Sequence, residues 1–574
     1  MSGNSLERVL ETMKEINVTL GWGALVVYSR GCLNALIERH YVERLGQWNC
    51  LPRFDATIER EDGGLTHAQA IEFGVPTLSF ASATTGDNRV QVSLPILSGA
   101  YRHESLRADD KLHYFLINEA MGFTLDVDVA LDVAVIAGHH VLRLDLRNAL
   151  DARCNLGLGA VYDERLAFEL LRWLGNLEVF QSQFALVEID SQGEDGWTPT
   201  EVRLYTQAAP AAQASGHGDG ALLMFLKVKG RGREGLAPTP SFPYLLPDDG
   251  SERCPVTVVL DRSLDHLPGD VLGKLSYQPM PYAFAERTRH EPFDTAVFGS
   301  LVPQGLILTV AKPRHTLQVG TSHRFVLHDQ HGTPVEASYW SVGGLGGLGG
   351  QPGEYGEIDH KTGLYRAMSL EQLKREDPVI VVNAKLYRDD KVYSASLRVR
   401  IAIDLFVLQP EVAIVAPTRS IDLQLAGPGP GYRWTLLDEP HGRLVQHNSK
   451  QATFVPDAVV SRKGLAVQQI RVDNYPPRRF SIVMSNGPQL LSIQSEAFRK
   501  LGYRESLHLQ EQDPSFMPEA KRRWSLFGIG ELSEDGRFTA PPNGTPGFSV
   551  VTCEIEHQGV VLATGYNVLQ IGRP

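Results

Sequence analysis

The sequence predicts a multidomain, mainly β protein in which an N-terminal α+β body precedes three β-sandwich domains in tandem. Three observations support this fold class. A tryptophan motif recurs with the period of one sandwich domain, a strand pair closes each repeat, and long amphipathic strands mix with amphipathic helices in the N-terminal half. The predicted domain limits are 1–299 for the body and 300–403, 404–486 and 487–574 for the sandwiches, the middle one degenerate.

The tryptophan motif is the strongest of these observations. Trp340, Trp434 and Trp524 stand 94 and 90 residues apart, which matches one sandwich rather than one solenoid turn. Each tryptophan is followed by a segment that begins with glycine and then by a segment that contains an aromatic residue. These segments are 356–359 and 363–367 in the first unit, 442–444 and 452–456 in the second, and 530–533 and 536–540 in the third.

A strand pair follows the motif in every unit. The pairs are 379–386 with 394–401, 467–472 with 480–484, and 550–555 with 566–571. Alternation is clearest in Leu397, Val399 and Ile401 against Arg398 and Arg400, so one face of that strand packs on a core. We expect the tryptophan rings to fill the space between sheets rather than to stack on carbohydrate. The glycine-rich segment 343–350 lacks a following Lys-Ser/Thr and helix, so it predicts a hairpin loop and not a phosphate-binding loop.

The N-terminal body opens with a predicted strand over 18–28 and an amphipathic helix. Leu33, Leu36 and Ile37 recur at helical spacing and give this helix one apolar face. A second amphipathic helix is predicted over 162–178, with Leu170, Leu171 and Leu174 on its apolar face. A second strand-helix start is predicted at 255–264.

A long hairpin is predicted over 124–147. Val129, Leu131 and Val133 belong to its alternating apolar set, with aspartates between them. A two-residue turn at Gly138-His139 would place Val133 opposite Leu144. Spacing by two on an open face is what solvation alone produces, so the aspartates and the His139-His140 pair predict no metal site.

The charge balance argues against nucleic acid as a partner. The formal net charge is -12, and the densest basic stretches, 227–233 and 521–523, are short. A nucleic-acid site needs a clustered basic face that displaces counterions. These stretches therefore predict solvated loops or strand ends.

The cysteines and the apolar segments bear on the compartment. Five cysteines at wide spacing, without a C-x-x-C pair, predict buried free thiols in a reducing compartment. Residues 1–17 carry charges where a signal peptide has its apolar core, and no apolar stretch is long enough for a transmembrane helix. We expect a protein made in the cytoplasm, with export by another route left open.

No catalytic motif stands out in the chain. A G-x-S-x-G elbow, a P-loop, H-E-x-x-H and a dinucleotide fingerprint are all missing from the sequence. Gly157-Leu158-Gly159 precedes a helix, but no βαβ pattern surrounds it. The sequence therefore predicts a protein that is not an enzyme and needs no cofactor.

Two family resemblances add to these predictions. The tryptophan repeats resemble the bacterial immunoglobulin-like domains that serve as spacers in adhesins and surface proteins. The start Gly21-Trp22, Tyr28-Ser29 and 33–37, with 255–264 later, resembles the tubular lipid-binding superfamily over at most residues 15–300. Within it, the closest group is the non-toxic accessory proteins encoded beside botulinum neurotoxins, although Gly23 stands where those often carry an acidic residue.

The resemblances imply a function that the residues alone do not identify. The first hypothesis is a non-catalytic binding protein, with a lipid or another apolar ligand in the N-terminal body and the sandwiches as spacer or docking modules for a protein partner. Candidate lining residues are the apolar positions of the two helices and the hairpin, namely Leu33, Leu36, Ile37, Val129, Leu131, Val133, Leu170, Leu171 and Leu174. The alternative is a structural or interaction component of a toxin, secretion or surface complex with no ligand, whose apolar faces merely fill a core. A hydrolase ranks below both.

Overall fold

The computed structural model describes most of residues 4–572. The description leaves out 46, 60–63, 105–109, 157–159, 211–216, 232–233, 248–254, 268–281, 285–286, 300, 304–305, 313–315, 345–352, 374–378, 404, 428–431, 458–463, 474–477, 486–490, 495–499, 512–518 and 545–546. The structure is mainly β, with 54% in strands and 11% in helices. It has several separate hydrophobic clusters, as a multidomain protein should.

The N-terminal body contains the helices and the longest strands of the first half of the chain. Its helices are α1 (Leu6–Glu15), α2 (Arg30–Arg44), α3 (Ala160–Gly175) and α4 (Val179–Ser182), with single 3-10 turns at Glu119–Met121, Leu146–Asn148 and Arg262–Leu264. Its strands are β1 (Ala24–Ser29), β2 (Phe54–Glu59), β3 (Leu65–Phe73), β4 (Thr77–Ser79), β5 (Arg89–Glu104), β6 (Asp110–Asn118), β7 (Thr124–Ala130), β8 (Asp132–Ile136), β9 (His139–Asp145), β10 (Ala149–Cys154), β11 (Gln183–Asp190), β12 (Pro199–Ala208), β13 (Gly220–Val228), β14 (Val256–Asp261), β15 (Tyr282–Phe284), β16 (Arg287–His290), β17 (Asp294–Gly299) and β18 (Leu301–Pro303).

Two layers of strands enclose the main core of the body. An antiparallel sheet has the order β12-β13-β1-β14-β17-β16, and its four central strands are buried on both faces. Helix α1 covers one face through Leu6, Val9 and Met13, and Ser5 caps its first turn by accepting from the Arg8 amide. The other face meets helices α2 and α3 and the strands β10, β7 and β5 in a single large cluster.

The hairpin predicted over 124–147 forms with a different register. The chain breaks at Leu131 into β7 and β8, and the turn is Ala137-Gly138, so that Val133 faces Leu142 and not Leu144. A type I′ turn needs a positive φ at both central residues; Ala137 has φ 51° and Gly138 has φ 83°. The register moves by an even number of positions, and the apolar side chains therefore stay on one face.

Two other local predictions are also corrected. Residues 18–23 form turns before β1 begins at Ala24, because Leu20 and Gly21 have positive φ angles of 52° and 89°. The segment 255–264 forms strand β14 and a single 3-10 turn, not a strand followed by an α-helix. The loop predicted at 343–350 lies largely outside the described residues.

The C-terminal half consists of three groups of strands, each around its own cluster. The first has β19 (Thr309–Val310), β20 (Leu317–Gln318), β21 (Ser322–Arg324), β22 (Leu327–His328), β23 (Pro334–Val335), β24 (Tyr339–Gly344), β25 (Glu357–Ile358), β26 (Leu364–Arg366), β27 (Val379–Arg388) and β28 (Lys391–Ala402). The second has β29 (Val407–Gln409), β30 (Val412–Val415), β31 (Ile421–Ala426), β32 (Trp434–Leu436), β33 (Gly442–Asn448), β34 (Gln451–Pro456), β35 (Leu465–Val472) and β36 (Arg478–Ser485). The third has β37 (Ile493–Gln494), β38 (Ser506–His508), β39 (Gln510–Glu511), β40 (Lys521–Phe527), β41 (Glu531–Leu532), β42 (Arg537–Thr539), β43 (Gly547–His557) and β44 (Val560–Ile571). The limits predicted between the domains stay predictions.

Packing around the tryptophans explains the spacing of the repeated glycines. Gly363 has φ 67°, and a Cβ there would lie 2.8 Å from the ring of Trp340; Gly536 has φ 82°, and its Cβ would lie 2.7 Å from the ring of Trp524. Only glycine combines a left-handed conformation with so close an approach. Trp340 and Trp434 are buried and Trp524 is half-buried, so the interpretation as core residues suits the first two best.

Strand β6 joins the body to the three sandwiches. It pairs with β5 on one side and, antiparallel, with β30 of the second sandwich on the other, with Leu112 opposite Ile414. Its Tyr114 packs against Phe548 of the third sandwich at 4.3 Å between ring centroids and accepts a hydrogen bond from Gln570. The carbonyl of Ile117 faces Arg400 of the first sandwich. The sandwiches therefore pack on the body instead of extending away from it.

Candidate binding cleft

The two faces of strand β28 contact different parts of the protein. Ala395, Val399 and Ile401 point into the core of the first sandwich, as the alternation in the sequence predicted. Side chains of a strand alternate between faces, so Arg398 and Arg400 point the other way. That polar face does not meet solvent alone, because helix α2 and strands of the N-terminal body lie against it.

Arg398 forms an ion pair with Glu72 at the end of β3. The side chains are 12% and 6% exposed, so the pair is nearly withdrawn from water. Glu72 also accepts hydrogen bonds from the Arg53 guanidinium at 2.7 Å and the Ser98 hydroxyl at 2.8 Å. Arg398 reaches the Tyr41 hydroxyl at 3.3 Å, and that hydroxyl donates to the carbonyl of Phe73 at 3.0 Å. These contacts join the first sandwich to the body through a buried ion pair whose charged groups are hydrogen-bonded.

The ionisation of Glu72 follows from these contacts. Burial by itself would raise its pKa, but Arg398 and Arg53 outweigh burial and hold the pKa below its ordinary value. The carboxylate therefore stabilises the folded state above the ordinary glutamate pKa, about 4.3, and this stabilisation is lost as the pH falls through the lowered pKa. At neutral pH the ion pair is fully formed.

A cleft of about 790 Å³ opens beside this ion pair. Helix α2, the segment from Gly74 to β5 and the 3-10 turn at Glu119 form one wall, and β28 forms the opposite wall. Two residues of the second sandwich close one side of the cleft: Leu405, which precedes β29, and Gly427, which follows β31. Clefts of this size between domains are the usual place for a ligand of drug-like dimensions.

The lining divides into aliphatic and charged parts. The aliphatic part comprises Val42, Leu45, Val75, Pro95, Leu97, Leu397 and Leu405. Val399 also borders the cleft, but its side chain points into the first sandwich. The charged part comprises Glu38, Glu119, Lys312, Arg398 and Arg400. Lys312 lies 3.5 Å from Glu119, and both of these side chains are more than half exposed. Arg400 contacts the carbonyl of Ile117 and Lys312 contacts the carboxylate of Glu119, so both basic side chains lie beside the same short segment, 117–119. This part of the cleft is called its basic end.

None of the nine predicted lining residues borders this cleft. Leu33, Ile37, Val129, Leu131, Leu170 and Leu174 are buried together in the main cluster of the body, and Val133 packs against its edge. Leu36 is buried without belonging to that cluster, and Leu171 is half-buried on α3. The structure thus brings most of these residues together, while their role in holding a ligand stays a prediction.

Sequence reasoning missed the residues that do line the cleft. Tyr41 and Leu45 lie at the end of the amphipathic helix predicted after the first strand, and Arg398 and Arg400 form the predicted polar face of a strand. Their alternation was visible, but the surface that covers them comes from residues about 320 positions earlier in the chain, as the separation of 326 between Arg398 and Glu72 shows. No local pattern carries that information.

Enlarging Val129 tests whether the body holds a tunnel. Val129 is fully buried among other side chains. We expect Val129→Phe to lower the free energy of unfolding by about 1–3 kcal/mol through overpacking, measured by urea denaturation. The matched control is Val135→Phe, since Val135 is 67% exposed at the hairpin tip. Unchanged stability of Val129→Phe, together with displacement of a bound lipid, would instead indicate a tunnel.

The aspartates of the hairpin form ion pairs. Asp132 binds Arg143 at 2.6 Å, and Asp145 binds Arg147 at 2.7 Å. His139 lies 3.8 Å from Glu188 and 3.7 Å from Asp190. Among the residues that the structure describes, no group of three or more His, Cys, Asp or Glu side chains could hold a metal ion.

Within the part of the chain that the structure describes, no helix has the length and apolar character needed to cross a membrane.

Comparison with known proteins gives no family for this chain. No family model matches it, and no curated protein matches it. Solved structures with local similarity include extracellular domains 3–5 of Drosophila OTK (11% identity, 47% of this chain and 98% of that chain, TM-score 0.18). Others are the human desmocollin-1 ectodomain (9%, 65% and 75%, 0.15) and an endo-fucoidan hydrolase of glycoside hydrolase family 107 (10%, 47% and 44%, 0.18). These TM-scores are low, and the similarities add nothing to the β-sandwich architecture seen in the strands themselves.

Proposed function

We propose that this protein is a non-catalytic binding protein whose ligand lies in the cleft between the N-terminal body and the first sandwich. The observation that carries the proposal is the cleft itself, about 790 Å³ in volume and bordered by three parts of the chain. A site assembled from separate domains exists only when these domains are docked. The sandwiches then act as docking modules that complete the site, rather than as spacers.

The chemistry of the lining favours binding over catalysis. The lining residues of the cleft that the structure describes include no histidine or cysteine. Glu72, the buried carboxylate next to the cleft, is held by two guanidinium groups, which stabilise its charge and make it a poor base. These features support a protein that holds its ligand unchanged.

The cleft also changes where an apolar ligand is expected. The tubular lipid-binding resemblance implies a ligand inside the N-terminal body, but the candidate residues there pack against each other. The cleft offers aliphatic walls that are open to a ligand, including Val42, Val75 and Leu97. We therefore place the apolar ligand at the domain junction.

Filling the cleft with a large side chain tests this proposal. Thr77 is an exposed residue of β4 that borders the cleft. We expect wild-type protein to bind the anionic dye 1-anilinonaphthalene-8-sulfonate, whose fluorescence rises in apolar surroundings, and Thr77→Trp to weaken this binding at least about tenfold, since the indole occupies the ligand's space. Native mass spectrometry of purified protein would show any ligand that copurifies, and its loss in the variant.

The control is Thr200→Trp, which adds the same ring at an exposed strand threonine of β12 outside the cleft. It should bind the dye like the wild type. Equal dye binding by Thr77→Trp and the wild type, at equal thermal stability, would show that the cleft is not the site.

The second candidate function is a structural or interaction component of a larger complex. One observation favours it: tight hairpin turns project apolar side chains into solvent. Val135, Tyr387, Val392 and Val560 are each 58% exposed or more. Tyr387 and Val392 lie opposite each other on one hairpin, and such a pair of exposed apolar side chains suits a protein partner. In this case the wild type should bind no dye at the cleft and carry no copurifying mass.

A further inference from the structure

The distribution of charge in the cleft identifies the chemical class of its ligand, provided that the proposed binding function holds. We propose that the ligand is a monomeric organic anion with an aliphatic body, whose carboxylate lies on Arg400 and Lys312. The aliphatic body would extend along β28 toward α2, over Val75 and Leu97.

The sign of the ligand follows from the fixed charges around the cleft. The described lining carries three basic side chains, Lys312, Arg398 and Arg400, against two acidic ones, Glu38 and Glu119. Beside the cleft, the buried carboxylate of Glu72 lies between the guanidinium groups of Arg53 and Arg398, so the charges in and around the cleft keep an excess of positive charge. At the basic end, Lys312 is held only at 3.5 Å from Glu119, and both side chains are exposed enough to rearrange. A partly enclosed positive group binds a carboxylate more strongly than a neutral or cationic group.

Arg400 is placed to hold such an anion. Its guanidinium approaches the carbonyl of Ile117 at 3.5 Å, and the side chain is half-buried. A guanidinium has five N–H donors in one plane, so it can keep its protein contacts and still bind a carboxylate in a bidentate manner. The strand fixes its backbone through pairing with β27, where Arg400 faces Val379.

The walls indicate an aliphatic rather than an aromatic body. Tyr41 is the one aromatic residue among the described lining residues, and its hydroxyl is held by Phe73 and Arg398. Aromatic ligands gain from stacking partners, whereas an alkyl chain gains from branched aliphatic side chains. Val42, Leu45 and Leu97 provide such contacts.

Calorimetric titration of the full-length protein with four probes tests the proposal. The probes are decanoate, 1-decanol, decyltrimethylammonium and acetate, which separate the charge from the alkyl chain. We expect decanoate to bind at least about tenfold more tightly than each of the others. Arg400→Gln and Lys312→Gln should each weaken decanoate binding about tenfold and leave decanol binding within about twofold.

The matched control is Arg388→Gln, on the same hairpin as Arg400 but 63% exposed and outside the cleft. It should bind decanoate like the wild type.

Two results would overturn the proposal that the ligand is an anion while leaving the cleft as a binding site. One is tighter binding of decanol than of decanoate, and the other is unchanged decanoate binding by an Arg400→Gln variant that melts like the wild type. Failure of every probe would reject both the anion and the proposed function. If the protein binds no decanoate but sediments together with phosphatidylglycerol vesicles, the proposal of a soluble ligand is overturned and a membrane surface is the binding partner.

Discussion

Replacing Arg398 by methionine should lower the free energy of unfolding of the docked assembly by about 3 kcal/mol. The change leaves the Glu72 carboxylate buried without its main partner, and breaking one side of a buried pair typically costs about 3–5 kcal/mol. We place the effect at the lower end because Arg53 and Ser98 still hold Glu72. Urea denaturation at neutral pH, followed by tryptophan fluorescence, measures it.

A double variant separates the charge effect from simple loss of packing. Arg398→Met combined with Glu72→Gln removes both charges and should recover part of the loss, because a neutral pair leaves no uncompensated buried charge. Arg388→Met is the control, since Arg388 is exposed on the same hairpin, and it should change stability by less than about 0.5 kcal/mol. Wild-type stability of Arg398→Met would mean that this ion pair does not hold the first sandwich on the body.

Replacing Trp340 by alanine should cost about 3–5 kcal/mol, enough to unfold a marginal sandwich. The ring is 4% exposed and packs beside Gly363, whose backbone conformation leaves no space for another side chain. Strand β28 belongs to the same cluster and forms a wall of the cleft. The Trp340 variant should therefore lose dye binding at the cleft as well as stability.

The third sandwich provides the comparison for this variant. Trp524 occupies the equivalent position but is half-buried, so Trp524→Ala should cost less and leave dye binding intact. Thermal melts and dye titrations of both variants measure the difference. Loss of dye binding in the Trp524 variant, with the first sandwich still folded, would contradict the assignment of the cleft to the first sandwich and the body.

The sequence alone determined the features that depend on neighbouring residues. Alternation placed Val399 and Ile401 inside the first sandwich and Arg398 and Arg400 outside it. Helical spacing identified the buried face of α2, and the recurring tryptophans identified the three sandwiches. These patterns are readable because period two and period 3.6 are properties of the backbone itself.

Only the tertiary structure decided what the outer faces meet. The hairpin register depended on whether Ala137 or His139 would join Gly138 in the turn, a difference of local conformational energy that the pattern of apolar residues does not contain. The pairing of β6 with β30, the burial of Glu72 by Arg398 and the cleft beside them join residues hundreds of positions apart. A polar strand face looks the same in the sequence whether water or another domain covers it, because the charge that satisfies a buried arginine comes from elsewhere in the chain.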